Sequence, residues 1–233
     1  MVTERGMWKA LRVALNNKKH GHIPNELTPD KLNTFFTNIG KQLADKFTNG
    51  EYEWLLPESI YTFNFTDVDA DQVYNLLLSL SETPSLDILT MDSKLIRLGS
   101  KVLSTSLCKL FNMSMNKGVI PVDLKLARVT PVYKNKGMQN DCSNYRPISC
   151  IPHIAKVFER LVQNQLKHYL VEHDFITCDQ SAYRKNHSTE TSLHKVIMQL
   201  LENANDGLLS GACFFDLQKC FDTIDHKILL TKI

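Results

Sequence analysis

The run Phe214-Phe215-Asp216-Leu217-Gln218-Lys219-Cys220-Phe221-Asp222-Thr223-Ile224-Asp225-His226 carries the densest chemistry in this 233-residue chain. Gly211-Ala212-Cys213-Phe214-Phe215-Asp216 reads as a short, wholly apolar strand that ends on a carboxylate. A carboxylate delivered by a buried strand is costly unless a cation or a hydrogen-bond donor meets it. A divalent metal is one answer, because Mg²⁺ takes one or two carboxylates together with substrate phosphates. Phe221, five residues on, would then wall the same pocket. The competing reading has Asp216 capping the next helix and Phe221 in the core. Asp222, Asp225 and His226 read as caps or lining of that helix.

Cations lie upstream. Residues 125–195 carry 11 Lys/Arg against 6 Asp/Glu, a net of +5, and five of the eight histidines. Residues 1–124 carry 13 against 14, and residues 196–233 carry 3 against 5. A basic middle before an acidic end suits an anionic ligand held beside a carboxylate that wants cations, although ordinary surface variation gives the same sums. Leu126–Tyr133 is extended and rich in β-branched residues, and it ends at the turn Lys134-Asn135-Lys136-Gly137. Asn144-Tyr145-Arg146-Pro147-Ile148-Ser149 is a second extended run. Together they predict a hairpin with basic residues near its tip, and Pro131 and Pro147 make its strands edges. As bland alternatives, Lys134, Lys136 and Arg184 form a solvated surface and Arg146 pairs with Glu159.

Helices must position these groups. Thr28 caps a helix with Pro29 at its first position, and Leu32, Phe35, Phe36, Ile39, Leu43 and Phe47 line its apolar stripe. Thr66 or Asp67 caps a second helix, with Val73, Leu76, Leu77 and Leu80 inward. Asp92 starts a third, striped by Leu95, Val102, Leu103, Leu107, Leu110 and Phe111 and stopped by Gly118 and Pro121. A long helix follows the hairpin, with Ile154, Val157, Phe158, Leu161, Val162, Leu166 and Tyr169 on one face. Its histidines 153, 168 and 173 read as surface residues. Ser188-Thr189-Glu190-Thr191 starts a last helix through Leu193, Val196, Ile197, Leu200 and Leu201.

Composition sets the outer bounds. With 43% hydrophobic and 22% charged residues, the chain is neither disordered nor collagen-like. No apolar run approaches the ~20 residues that span a bilayer, and charges and a proline stand where a signal peptide needs an apolar stretch. The expectation is a soluble chain, not secreted, in nucleus or cytoplasm, with no membrane partner. The six cysteines form no Cys-x-x-Cys, which argues against structural zinc and for reduced thiols.

Three ordered blocks resemble the amino-terminal half of a reverse transcriptase from non-LTR, LINE-type, jockey-like retrotransposons. They are Pro131-Val132-Tyr133-Lys134 with Asn144–Ser149; Gln180-Ser181-Ala182-Tyr183-Arg184 with Ser188-Thr189-Glu190; and the Asp216 run. The resemblance begins near Asn33-Thr34-Phe35-Phe36 and continues to the last residue. It implies an α+β, mostly helical fold with a fingers β-hairpin and the first strand of a truncated palm sheet. Residues 1–120 would be a helical scaffold, 121–210 the fingers and 211–233 the start of the palm.

The resemblance also implies roles. Asp216 resembles the first catalytic, metal-binding aspartate, and the Leu217 carbonyl would be a further ligand of Mg²⁺. Phe221 resembles the aromatic gate that excludes a nucleotide 2′-hydroxyl. Lys134 and Arg146 resemble the cations that grip the incoming triphosphate. Gln180, Tyr183, Arg184 and Lys185 resemble the loop supporting the template. The implied partners are an RNA template, a DNA primer and deoxynucleoside triphosphates. The chain departs from the family in Ala182, where glycine is usual, and in the glycine-free run 84–89. No two aspartates are adjacent, so the family's aromatic-x-Asp-Asp motif is not among these residues. Two-metal phosphoryl transfer needs several carboxylates. The expectation is therefore a polymerase fragment without activity of its own and self-associating through its bare palm strand; the alternative is a non-catalytic remnant that binds nucleic acid through residues 125–195.

Overall fold

A computed structural model describes residues 23–44, 61–217, 220–225 and 229–230. Phe47 and His226 lie outside the described residues. In chain order the elements are α1 (Pro29–Ala44), α2 (Ala70–Leu78), α3 (Ser93–Leu98), α4 (Ser100–Lys117), β1 (Arg128–Tyr133), β2 (Tyr145–Cys150), α5 (His153–Glu172) and α6 (Thr189–Asn205). Short 3₁₀ turns occupy Val122–Lys125, Cys142–Asn144 and Cys220–Asp222. The fold is α+β and mostly helical, and β1 and β2 form one antiparallel pair. No described helix is long and apolar enough to cross a membrane. The chain divides into two units, one of residues 1–50, 80–97 and 120–155, the other of residues 51–79, 98–119 and 156–233.

In the first unit the hairpin packs one face on α1. The register pairs Arg128 with Cys150, Thr130 with Ile148, Val132 with Arg146 and Tyr133 with Tyr145. Alternation then puts Val129, Pro131, Tyr133 and Tyr145 on a common face. Tyr145 is buried with Leu27, Leu32 and Cys142, and Phe35, Phe36 and Tyr133 pack around them. Thr28 caps α1 as its sequence predicts: its hydroxyl accepts from Lys31 N–H at 3.3 Å. Burying this face fixes the register, since a slip of one residue would turn the tyrosines to solvent.

A buried carboxylate ties the hairpin's base to the 80–97 segment. Asp87, only 7% exposed, accepts backbone N–H groups from Leu89 (2.9 Å), Met91 (3.0 Å) and His153 (2.9 Å). Burial alone would push this carboxyl up. The three N–H donors and the His153 ring outweigh it and hold Asp87 below the ordinary carboxylate range. His153 is buried and its Nε2 lies 2.9 Å from the Ser85 carbonyl. The surface placement expected for His153 is thus corrected: an α5 N-terminus has unpaired N–H groups, and Asp87 satisfies one of them.

In the second unit α2 packs against α4, with Val73, Leu77 and Phe111 fully buried. The N-cap of α2 is Asp69, in a capping box with Gln72, rather than Thr66 or Asp67. Those two belong to an extended segment held by side-chain amides. Asn112 Oδ1 accepts from Val68 N–H and its Nδ2 donates to the Val68 carbonyl, both at 2.9 Å. Gln165 makes the same two bonds to Thr66, also at 2.9 Å. Each amide thus imitates a neighbouring strand for one residue.

The helix expected from Asp92 to Gly118 breaks at Gly99 into α3 and α4. Its buried stripe is Ile96, Ser100, Ser104, Leu107, Phe111, Ser114 and Met115, whereas Leu95 and Val102 are exposed. Small serines admit close packing and satisfy their hydroxyls locally, as Ser104 does on the Lys101 carbonyl at 3.1 Å. Gly118 ends α4 in the left-handed region at φ 63°, as expected. The Cys108 thiol donates to the Val68 carbonyl at 3.2 Å, and burial first, then Asp69 and Asp67, push its pKa up. On α5, Val157, Phe158, Leu161 and Tyr169 are buried as predicted. His173 is corrected from the surface into a ring cluster: it stacks on Tyr61 at 3.9 Å and meets Tyr169 edge-on at 4.9 Å.

Ser188 and Thr191 form the capping box that starts α6. The stripe Leu193, Val196, Ile197, Leu200 and Leu201 is nevertheless exposed. The strand expected over 211–216 does not form: residues 208–217 carry no secondary structure, with Phe214 90% and Phe215 88% exposed. A strand requires a partner ladder, and none of the described residues supplies one to this segment.

Candidate functional site

The outward face of the hairpin is where the sequence concentrates its cations. Directly opposed residues share a face, so Arg128, Thr130 and Val132 stand with Cys150, Ile148 and Arg146. Lys134 N–H donates to the Asn144 carbonyl at 2.8 Å, which extends the ladder by one step. Lys134 therefore lies on the same face as Arg146, on its diagonal. The opposite face is the one buried on α1. Arg128, Lys134 and Arg146 thus share one side, and none of its ladder positions is an acid. The described ion pairs, Arg97–Glu82, His168–Glu172 and Lys195–Asp179, include none of these cations.

The tip is built rather than slack. Lys134 Nζ donates to the Ser143 carbonyl at 2.6 Å, Tyr133 Oη to Gly137 O at 2.5 Å and Tyr145 Oη to Gln139 O at 2.8 Å. Asn144 Nδ2 donates to Met138 O at 2.9 Å. Asp141 accepts from the Ser143 N–H and hydroxyl, both at 2.8 Å, and those two bonds, with Lys134 nearby, lower its pKa. Gly137 sits at φ +77°, where a β-carbon would come 2.7 Å from Asn144 Cγ. The left-handed φ favours glycine there, and a β-carbon would also displace the Asn144 amide.

The second unit holds the other predicted residues. Arg184 Nη1 donates to the carbonyls of Thr177 (2.9 Å) and Gln180 (3.3 Å), so this guanidinium shapes the 177–184 loop from within. Gln180 Nε2 reaches the Ala182 carbonyl at 3.4 Å. The left-handed residue is not Ala182 but Tyr183, at φ 61°, an uncommon conformation for a bulky residue. Its ring is 82% exposed and meets the ring of Phe221 edge-on, centroids 6.2 Å apart at 84°. Lys185 is exposed, and its carbonyl lies 3.0 Å from His187 Nδ1. Asp179 pairs with Lys195 at 2.5 Å, which fastens the loop to α6; that bond and charge lower the Asp179 pKa and raise that of Lys195.

Phe221 lies on the 3₁₀ turn Cys220–Asp222 and is 70% exposed. Asp216 and Leu217 are exposed too, on the unpaired segment rather than at a strand end. The carboxylate of Asp216 and the carbonyl of Leu217 are hard oxygen donors of the kind Mg²⁺ accepts. Among the described residues, however, no three His, Cys, Asp or Glu side chains come together to hold an ion. The described residues supply Asp216 and the Leu217 carbonyl to such an ion and no further clustered acid.

Two groups escaped the sequence reading. Arg128 had a signal, the period of two along β1 that aligns it with Lys134. Asp87 had a fainter one, an acid set among Leu86, Ile88 and Leu89.

Residues 133–233 match a family model described as "Reverse transcriptase (RNA-dependent DNA polymerase)". Over 222 residues, 94% of the chain, it is 28% identical to "RNA-directed DNA polymerase from mobile element jockey" of Drosophila melanogaster, covering 22% of that protein. Its Drosophila funebris counterpart is 30% identical over 167 residues, 71% of this chain and 18% of the relative. "Probable RNA-directed DNA polymerase from transposon BS" of Drosophila melanogaster is 28% identical over 127 residues, 54% of this chain and 14% of that protein. The chain thus spans less than a quarter of the length of these relatives.

Proposed function

Since this chain belongs to the reverse transcriptases of non-LTR, LINE-type retrotransposons, we propose that it supplies the nucleotide-gripping and template-supporting parts of an RNA-directed DNA polymerase. Nucleic-acid template and nucleotide substrates, and a generally metal-dependent nucleotidyl transfer, come with the family. The finer assignments are ours. Residues 1–120 act as scaffold, 121–210 as fingers and 211–233 as the first part of the palm, inside the cell.

The observation that carries this reading is the acid-free outward face on which Lys134 and Arg146 stand diagonally. A triphosphate presented to that face meets two cations whose spacing the ladder holds. Arg146 offers a planar fork to phosphate oxygens, and Lys134 adds a point charge steadied by the Ser143 carbonyl. The exposed ring of Phe221, edge-on to Tyr183, stands as a wall against a 2′-hydroxyl. The loop carrying Gln180, Tyr183, Arg184 and Lys185 supports the template, with Arg184 holding its shape. Asp216 and the Leu217 carbonyl contribute first ligands of a Mg²⁺ site, whose ion would neutralise developing phosphate charge. The family's adjacent aspartate pair does not occur in these 233 residues, so on this reading they do not complete a two-ion centre.

Equilibrium binding of a fluorescent deoxynucleoside triphosphate with Mg²⁺ tests the hairpin. Arg146→Gln removes a charge-assisted contact worth about 1.5–3 kcal/mol, so affinity should fall by about 10- to 100-fold. Unchanged affinity would refute the assignment. Primer extension on an RNA template tests the incompleteness: the 233-residue chain should make no cDNA, and robust synthesis would overturn that part. RNA binding without any nucleotide binding would favour the non-catalytic alternative.

A further inference from the structure

We propose that Arg128 binds a backbone phosphate of single-stranded nucleic acid, as a contact separate from the pair that holds the nucleotide. The inference deepens the proposed function and rests on it for the roles of Lys134 and Arg146.

Position is the first argument. Arg128 lies at the end of β1 remote from the tip, on the face it shares with Lys134 and Arg146. Val132, the partner of Arg146, lies four positions on, about 14 Å along the strand, and Lys134 six positions on, about 20 Å. One triphosphate is a compact cluster of charge and does not need a cation that far away. A nucleic-acid strand repeats its charge at every nucleotide, so a cation at that remove meets a second, non-adjacent phosphate.

Electrostatics is the second. The ladder positions between the cations are Thr130 and Val132 on β1, with Ile148 and Cys150 on β2, all neutral. Arg128 is exposed and has no ion-pair partner among the described residues, so none of the described ion pairs must break before it binds. Guanidinium is weakly hydrated and matches phosphate oxygens with two parallel N–H groups. A strip about 20 Å long that carries cations at both ends and no acid between them suits an extended polyanion with a charge on every unit better than an acidic protein surface, whose charges are interrupted by neutral and basic groups.

The test uses the purified chain, a fluorescein-labelled oligouridine and a fluorescent deoxynucleoside triphosphate with Mg²⁺, with RNA affinity measured between 50 and 200 mM KCl. Each phosphate contact to a single strand contributes about 0.7 to the slope of log affinity against log salt. Arg128→Gln should therefore lower that slope by about 0.7, leave triphosphate affinity unchanged, and be rescued by Arg128→Lys. An unchanged slope overturns the proposal. So does an equal loss for the triphosphate, which would place Arg128 in the nucleotide site. Competition by polyglutamate as effective as RNA of equal charge also overturns it, in favour of an acidic protein partner. If instead Arg146→Gln spares triphosphate binding while Arg128→Gln still lowers the slope, the nucleotide assignment fails and the Arg128 contact stands.

Discussion

Replacing Asp87 by alanine would leave the N–H groups of Leu89, Met91 and His153 without their acceptor in a buried site. An orphaned buried donor costs about 1–3 kcal/mol, and relaxation or an entering water recovers part of three such costs. The working figure is a local loss of about 3–5 kcal/mol. Asp87→Asn keeps an amide oxygen for one pair of donors but turns an amino group towards the third, so it should lose about 2 kcal/mol. Hydrogen exchange by mass spectrometry reads this directly: peptides spanning 85–92 and 150–155 should lose protection by about 100-fold or more in Asp87→Ala. The pH dependence has a definite sign. The folded carboxyl titrates below its ordinary value of 3.8, so its stabilisation is fully present above that value and disappears as pH falls through the lower, folded one. Asp87→Asn should flatten this acid limb of the stability profile. Unchanged protection in both peptides, or an acid limb identical in Asp87→Asn, would refute the account of Asp87 as the tie at the hairpin's base.

Gly137→Ala should destabilise the hairpin tip by about 1–3 kcal/mol through its positive φ and the approach to Asn144; Gly207→Ala, at φ +73° with nothing within 4 Å, should cost only about 1 kcal/mol, and urea titration of the two separates crowding from backbone strain. Asn112→Ala removes both bonds to Val68 and should lower stability by about 1–3 kcal/mol, with faster exchange of the Val68 amide. The exposed apolar segment 208–217 should drive self-association, so Phe214→Ser with Phe215→Ser should shift sedimentation towards monomer; an unaltered distribution would exclude that segment as the contact.

Local chemistry was legible in the chain itself. The Thr28 and Ser188 caps, the Gly118 stop, the buried stripe of α5 and the hairpin with its basic tip all depend on neighbours a few residues away, whose spacing the sequence displays. Asp69 rather than Thr66 or Asp67 caps α2, because the amides of Gln165 and Asn112 hold the backbone of Thr66 and Val68 in a ladder-like pairing, so the helix begins only beyond it, while Asp67 accepts from Asn116 instead. The buried stripe of α3 and α4 departs from the order of hydropathy for a related reason. Hydropathy ranks Leu95 and Val102 above serine, but a serine hydroxyl satisfied by its own helix, as Ser104 is on the Lys101 carbonyl, carries little penalty on burial.

What tertiary structure alone decided is where long-range partners stand. A strand is a two-body object, so Gly211–Asp216 has an apolar sequence and yet no strand until something lies alongside it. Asp87 and His153 sit 66 residues apart, and no local pattern declares that one caps the other. The cations of the hairpin are intermediate: their identity and alternation are written in the chain, but their gathering on one free face follows from the other face being buried on α1.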